Sequence, residues 1–210
     1  MFLSRVEVSW GSARNPYNLH RAIWKLFPEM ERESRASAEE SRQGFLFRVE
    51  QSEPGCTAIV IIQSRHEPQK VAEHVRVLVS KVFNPQPSRG QRLAFVMTAN
   101  PVKTIKDEAG RLDSNGEPKK CRVPLIKEEQ QIQWLHDKLN GIASPEAVNI
   151  RKLPPIFFYK QKEKRDGKLI PVLFEGVIRV DEPNLLLKAL EDGIGPAKGF
   201  GCGLMLVRRV

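Results

Sequence analysis

The sequence predicts an α+β fold: two tandem ferredoxin-like (RRM-like) domains, each an antiparallel sheet backed by helices. Two observations predict it. Strand and helix patterns run β-α-β-β-α in the first part of the chain and β-α-β-β-α-β in the second, the split βαβ order. A Pro/Gly linker, Asn84-Pro-Gln-Pro-Ser-Arg-Gly90, separates them and sets the units at 1–88 and 89–210. The duplication is of pattern, not of sequence. The same sheet serves RNA-binding modules and metabolic enzymes, so fold alone leaves function open.

Each element has its own signal. Phe2–Val8 alternates apolar and polar, a strand. Asn15 to Pro28 reads as a short helix: Asn15 caps it, Pro16 suits the first helical position, and Pro28 stops it at Phe27. Leu19, Ile23 and Leu26 form its core stripe. Glu29–Gln43 is charged and Ser-rich, a mobile loop or a solvated helix end. Gly44–Glu50 and the β-branched run Thr57–Gln63 are strands, the second buried on both faces. Val71–Phe83 carries apolar residues at 71, 75, 78, 79 and 82, a helical spacing.

In the second unit, Gln91–Thr98 alternates as a strand, and Lys103–Arg122 is a basic, Gly-containing loop, ordered only when something binds. Lys127–Asn140 is a helix with Ile132, Leu135 and Leu139 inward and Gly141 as its stop. Ile156–Tyr159 and Leu169–Val180 are strands joined by the basic segment 160–168, with Asp166-Gly167 as the hairpin turn. Asp181-Glu-Pro-Asn opens a last helix that Gly193 ends, and Gly203–Val207 is the last strand.

Charge points to a partner. There are 34 Lys and Arg against 25 Asp and Glu, a net charge of +9. Such an excess suits a polyanion, nucleic acid first and an anionic membrane surface second. Three scattered cysteines and four histidines without ligand spacing give no disulfide framework and no metal site, and no cofactor is expected. No segment approaches the ~18 apolar residues of a spanning helix. The expected compartment is the cytoplasm.

Three places could carry chemistry. His20 sits on the shoulder of the first helix's core stripe, with Tyr17 three residues before it and Trp24 four after. A Tyr–His pair there can move protons; from this helix alone His20 reads more readily as a structural histidine among aromatics. The stretch Gly193–Gly203 holds five glycines (193, 195, 199, 201 and 203) and Lys198. Such backbone can approach a phosphate closely, and it is neither a Walker loop nor in Rossmann order. Lys160, Lys162, Lys164, Arg165 and Lys168 make the hairpin basic enough to lie along nucleic acid, and Lys103 begins a weaker basic stretch. Paired base-stacking aromatics are not evident; Phe157, Phe158 and Tyr159 read as core or sheet edge.

Three stretches taken together resemble the CasE family, the repeat-processing endoribonucleases of CRISPR systems. They are Asn15-Pro-Tyr-x-x-His20-Arg; Gly90-Gln-Arg-Leu-x-Phe-x-x-x-Ala-Asn-Pro-Val-Lys103; and Val172-Leu-Phe-Glu-Gly-x-x-x-Val180 with Gly193-x-Gly-Pro-x-Lys198 and Gly201-x-Gly-Leu204. They span the chain in family order. Segments 29–43 and 103–122 match no family pattern. The resemblance implies tandem ferredoxin-like domains and metal-independent cleavage of CRISPR precursor RNA on the 3′ side of the repeat stem-loop. It also implies that the guide RNA stays bound within a surveillance complex with other subunits. It makes His20 the general acid or base and Tyr17 its partner at the scissile phosphate, with Lys198 and the surrounding glycines on the RNA backbone. Lys25 is a weaker catalytic candidate, about 140° from His20 on a regular helix. Without metal, the substrate's own 2′-hydroxyl is the nucleophile, and the products carry a 2′,3′-cyclic phosphate (or 3′-phosphate) and a 5′-hydroxyl. The alternatives are a non-catalytic repeat-RNA-binding subunit of the same superfamily and a ferredoxin-like enzyme acting on a small phosphorylated substrate.

Overall fold

The computed structural model describes residues 1–29, 44–106, 112, 116–118, 120–160 and 165–210. Strand β1 (Phe2–Val8) leads through a one-turn helix α1 (Trp10–Ala13) into α2 (Pro16–Trp24). Then come β2 (Phe45–Gln51), β3 (Ala58–Ser64), the two-residue β4 (Val71–Ala72) and β5 (Val75–Val82). Their sheet runs β2-β3-β1-β5-β4, every neighbouring pair antiparallel, with β1 between the third strand and the last long one. Alternation in β1 buries Ser4, Val6 and Val8 while Arg5 faces water.

The segment 71–83 is strand, not helix. β5 pairs with β1 from Val82 opposite Phe2 to Val75 opposite Val8, and a bulge at Leu78 adds one residue between Val77 and Val79. The extra residue breaks the two-residue period, so that 75, 78, 79 and 82 imitate helical spacing. The described residues of this half therefore hold the split βαβ strand order without its second helix. β3 is buried on one face and half-buried at Ile59 and Ile61 on the other.

The second half contains β6 (Arg92–Ala99), β7 (Val102–Lys106), β8 (Lys120–Pro124), α3 (Glu128–Leu139) and β9 (Ala143–Lys152). It continues with β10 (Ile156–Lys160), β11 (Arg165–Leu169), β12 (Val172–Val180), α4 (Pro183–Asp192) and β13 (Met205–Arg209). The main sheet runs β13-β6-β12-β9, all antiparallel, backed by α3 and α4. β9 has no counterpart in the sequence reading, because its exposed polar residues hide the alternation. The basic segment 103–122 is not a loop at its ends: β7 and β8 pair there as a hairpin.

The hairpin 156–169 also differs from expectation. Phe158 stands opposite Gly167 and Tyr159 opposite Asp166, so Asp166-Gly167 lies inside β11. Gly167 is needed because the Phe158 ring lies over it; a Cβ there would stand 2.3 Å from ring carbons. In α3, Ile132 is only half-buried, while Gln131 and Trp134 take inward places beside Leu135 and Leu139.

Each half has its own core. One packs Val6, Leu19, Ile23, Leu26, Phe45, Phe47 and Val60; the other packs Phe95, Met97, Trp134, Leu135, Phe174, Ile178 and Leu186. Each such side chain contributes about 1.5–3 kcal/mol of transfer free energy. The halves meet at the C-terminus of α4. There Gln63 Nε2 donates to the Leu190 carbonyl at 2.6 Å, and Arg65 pairs with Glu191 at 2.9 Å. The buried side chain of Gln63 thus satisfies a carbonyl that the helix end leaves open.

Candidate functional site

Helix α2 holds the first part of the site. The Asn15 side chain accepts from the backbone N–H groups of Tyr17 (2.9 Å) and Asn18 (3.3 Å). Pro16 starts the helix, and Leu19 and Ile23 turn inward. That fixes His20 on the shoulder of the buried stripe.

The His20 ring lies against β2, with centroids 5.3 Å from Phe45 and 6.1 Å from Phe47, and Trp24 stands edge-on at 6.1 Å. Burial against these rings pushes its pKa below the ordinary histidine value, so the imidazole is neutral at pH 7. Its Nε2 faces the glycine-rich turn: a Cβ on Gly199 would stand 3.9 Å from it.

Tyr17 is 39% exposed. Its ring meets Phe200 edge-on at 5.3 Å and Phe158 at 5.9 Å, while Phe158 and Phe200 lie 4.6 Å apart. Three elements, α2, β10 and the 3₁₀ turn Lys198–Phe200, thus meet in one aromatic cluster. Tyr17 and His20 lean on the same short turn.

The glycines of that turn divide by role. Gly193, Gly195, Gly201 and Gly203 all have positive φ. Packing crowds a Cβ at each of them: at Gly195 it would stand 2.8 Å from the Trp134 ring, at Gly193 2.7 Å from Leu46, at Gly203 2.8 Å from the Ile194 carbonyl oxygen, and at Gly201, less tightly, 3.2 Å from the Phe47 ring. These positions are glycine because the loop lies tightly on both cores. Gly199 differs, with no positive φ and only His20 near it. The backbone N–H groups of Lys198 and Gly199 donate to no backbone carbonyl among the described residues. The Lys198 ammonium donates to the Asp192 carbonyl at 2.5 Å, at the end of α4.

Lys25 is engaged elsewhere. It caps the C-terminus of α2, and its ammonium is hydrogen-bonded to Glu73, whose carboxyl is thereby held below its usual range. A helical wheel could not show this partner from the strand edge.

Among the other sequence-derived candidates, Lys168 is exposed, its Nζ 5.4 Å from the Phe157 centroid. Lys160 pairs with Arg165 across the β10–β11 ladder. Lys162 and Lys164 lie outside the described residues. Lys103 stands opposite Val123, on the other face of its hairpin from Arg122. Phe157 (67% exposed) and Tyr159 (52%) lie outside the core, on the edge strand β10 of a two-stranded sheet, while Phe158 reaches the site. Sequence reasoning missed Phe45, Phe47, Phe158 and Phe200 as the walls around Tyr17 and His20. Only the alternation of Phe157-Phe158-Tyr159 hinted that one ring faces the site. Among the described residues, no three His, Cys, Asp or Glu side chains stand close enough to hold a metal ion. No helix there is long and apolar enough to cross a membrane.

Comparison with known proteins follows the same lines. A family model described as CRISPR associated protein matches residues 1–209. The chain is 38% identical over 205 residues to the CRISPR system Cascade subunit CasE of Escherichia coli (strain K12), covering 98% of both proteins. The chain belongs to the CasE family of CRISPR-associated proteins. It is also 32% identical over 207 residues to the CRISPR-associated endoribonuclease Cse3 of Thermus thermophilus, covering 92% of this chain and 90% of that one. The crystal structure of the E. coli protein Cas6e superposes with a TM-score of 0.82 at 37% identity, covering both chains fully. A structure of Cse3 bound to a 19-nucleotide RNA gives a TM-score of 0.76 at 28% identity, covering 99% of this chain and 100% of that chain. The CasE-family likeness thus spans both halves, including α2 and the glycine-rich turn.

Proposed function

We propose that this CasE-family protein is an endoribonuclease that cuts CRISPR precursor RNA on the 3′ side of the repeat stem-loop and keeps the mature guide RNA. The observation that carries it is the facing pair: a neutral His20 Nε2 opposite Gly199, beside amide donors without backbone partners, with Tyr17 on the same turn. The relatives named as an endoribonuclease and as a Cascade subunit support both the chemistry and the destination, a surveillance complex with other protein subunits. The chain works in the cytoplasm, as domains 1–88 and 89–210, with the site between them.

The reaction follows from the placement. The scissile phosphate lies over Gly199. His20 Nε2 takes the proton of the adjacent 2′-hydroxyl, whose oxygen bonds to phosphorus while the bond to the 5′-oxygen breaks. The Tyr17 hydroxyl gives the leaving oxygen a proton. The amides of Lys198 and Gly199 and the Lys198 ammonium meet the charge that builds on the phosphoryl oxygens. The cations Lys103 and Lys168 reach the RNA further out. Lys25, held by Glu73, has no part in the transfer.

A repeat RNA carrying a 2′-deoxynucleotide at the cut position tests this chemistry. The account expects it to bind like the all-RNA substrate and to stay uncut, while the all-RNA strand is cut in excess EDTA to a cyclic phosphate. Cleavage of the deoxy substrate, or strict Mg²⁺ dependence, would overturn it.

A further inference from the structure

His20 and the end of α4 are held by opposite faces of one strand. Phe45 and Phe47 of β2 carry the His20 ring on one face. Leu46 between them points the other way, onto the residue that ends α4: a Cβ at Gly193 would stand 2.7 Å from it. Gln63 of β3 is paired with Leu46 across the ladder and shares that second face. It is only 3% exposed, and its Nε2 donates to the Leu190 carbonyl at 2.6 Å. Two residues further on, the Asp192 carbonyl accepts from the Lys198 ammonium. The C-terminus of α4 is thus held from two sides, by the first half through Gln63 and by the glycine-rich turn through Lys198. Gln63 Oε1 is buried with no hydrogen-bond partner among the described residues. Leaving that oxygen unpaired lowers stability in a way that an apolar side chain of the same size would not. What glutamine adds there is a directed bond that fixes the helix end.

We infer that Gln63 is a positioning residue for the cleavage: by holding the end of α4 it sets the gap between His20 Nε2 and the Lys198–Phe200 turn, where the phosphate is received. The inference rests on the endoribonuclease reading above and adds a residue that acts through others. The turn follows α4 by a few residues, so a shift of the helix end carries Lys198 and Gly199 with it, while His20 stays on β2. Apolar contacts such as Leu46 against Gly193 are non-directional and tolerate sliding. A hydrogen bond weakens steeply off its line and so fixes a position. A misplacement of about 1 Å at a reacting centre lowers rates by up to about 10²-fold.

The test is single-turnover cleavage of a repeat stem-loop RNA at saturating protein, with affinity and Tm measured on the same preparations. Gln63→Met keeps the length and volume of glutamine but donates nothing, and Gln63→Leu repeats the change with a branched chain. Ile178→Val, a truncation inside the second core, is the control for a merely softened fold. Both Gln63 variants should bind the RNA like wild type and cut it roughly tenfold more slowly. Ile178→Val should cut like wild type despite a lower Tm. In a His20→Ala background Gln63→Met should lower the residual rate by about twofold or less, since the gap no longer spans a reacting pair. Cleavage at the wild-type rate by either folded Gln63 variant would overturn the inference. So would the full loss on top of His20→Ala, or the same loss in Ile178→Val; either makes Gln63 a packing residue. Were wild type itself to bind repeat RNA without cutting it, the endoribonuclease reading would fall, and the positioning role with it.

Discussion

His20 carries the account at the scale of single residues. It is half-buried against Phe45 and Phe47, and that burial lowers its pKa from 6.5. As the base, it must be neutral to act, so kcat/KM for cleavage should rise with pH and level off with a midpoint below 6.5. A pH–rate profile in single-turnover conditions checks this; a limb centred above 7 would contradict it. The same shift bears on stability. Between the lowered folded pKa and 6.5 the unfolded chain binds more protons, so stability falls as pH drops through that window. His20→Gln should flatten this acid-side loss in thermal melts run from pH 7 to pH 5. Gly199→Ala is the complementary change. Its backbone accepts alanine, and the new methyl would sit 3.9 Å from His20 Nε2, where the phosphate must come. Cleavage should drop at least tenfold with an unchanged Tm. His20 was legible because a helical wheel places it beside Leu19 and Ile23. Its neighbours Phe45 and Phe47 were not, because they arrive on β2 from elsewhere in the chain.

Elements decide what the glycine-rich turn and the hairpin do. At Gly195 a substitution meets both a φ of +80° and the Trp134 ring 2.8 Å away. Gly195→Ala should cost about 1–3 kcal/mol and lower Tm by several degrees, unlike Gly199→Ala. Differential scanning of the two variants side by side reads the contrast. Phe158→Ala removes the ring by which β10 reaches Tyr17 and Phe200. It should slow cleavage severalfold while leaving the two cores intact, as judged by an unchanged midpoint in urea. The five glycines were visible in the sequence, but most of them answer to packing on Leu46, Trp134 and Phe47 rather than to a ligand. Period-based reading failed where a bulge broke the period, at Leu78 in β5, and where a glycine served a ring instead of a turn, at Gly167. It succeeded where one face is cleanly buried, as in β1, α2 and β6.

For the whole molecule, the α+β duplication was legible because alternation and linker composition are local signals. The meeting of the halves was not, since Gln63 on Leu190 and Tyr17 on Phe200 join residues more than a hundred positions apart. That meeting builds the proposed site: α2 belongs to the first half, and the glycine-rich turn and both basic hairpins belong to the second. A net charge of +9 adds a long-range attraction for RNA that salt should screen steeply. The most direct measurement is cleavage of a cognate repeat stem-loop in excess EDTA by wild type and His20→Ala, with affinity measured on the same RNA. The account predicts that both proteins bind alike and that the variant cuts roughly 10²–10⁴-fold more slowly. A His20→Ala protein that cuts as fast as wild type would contradict it and make His20 a packing residue of α2.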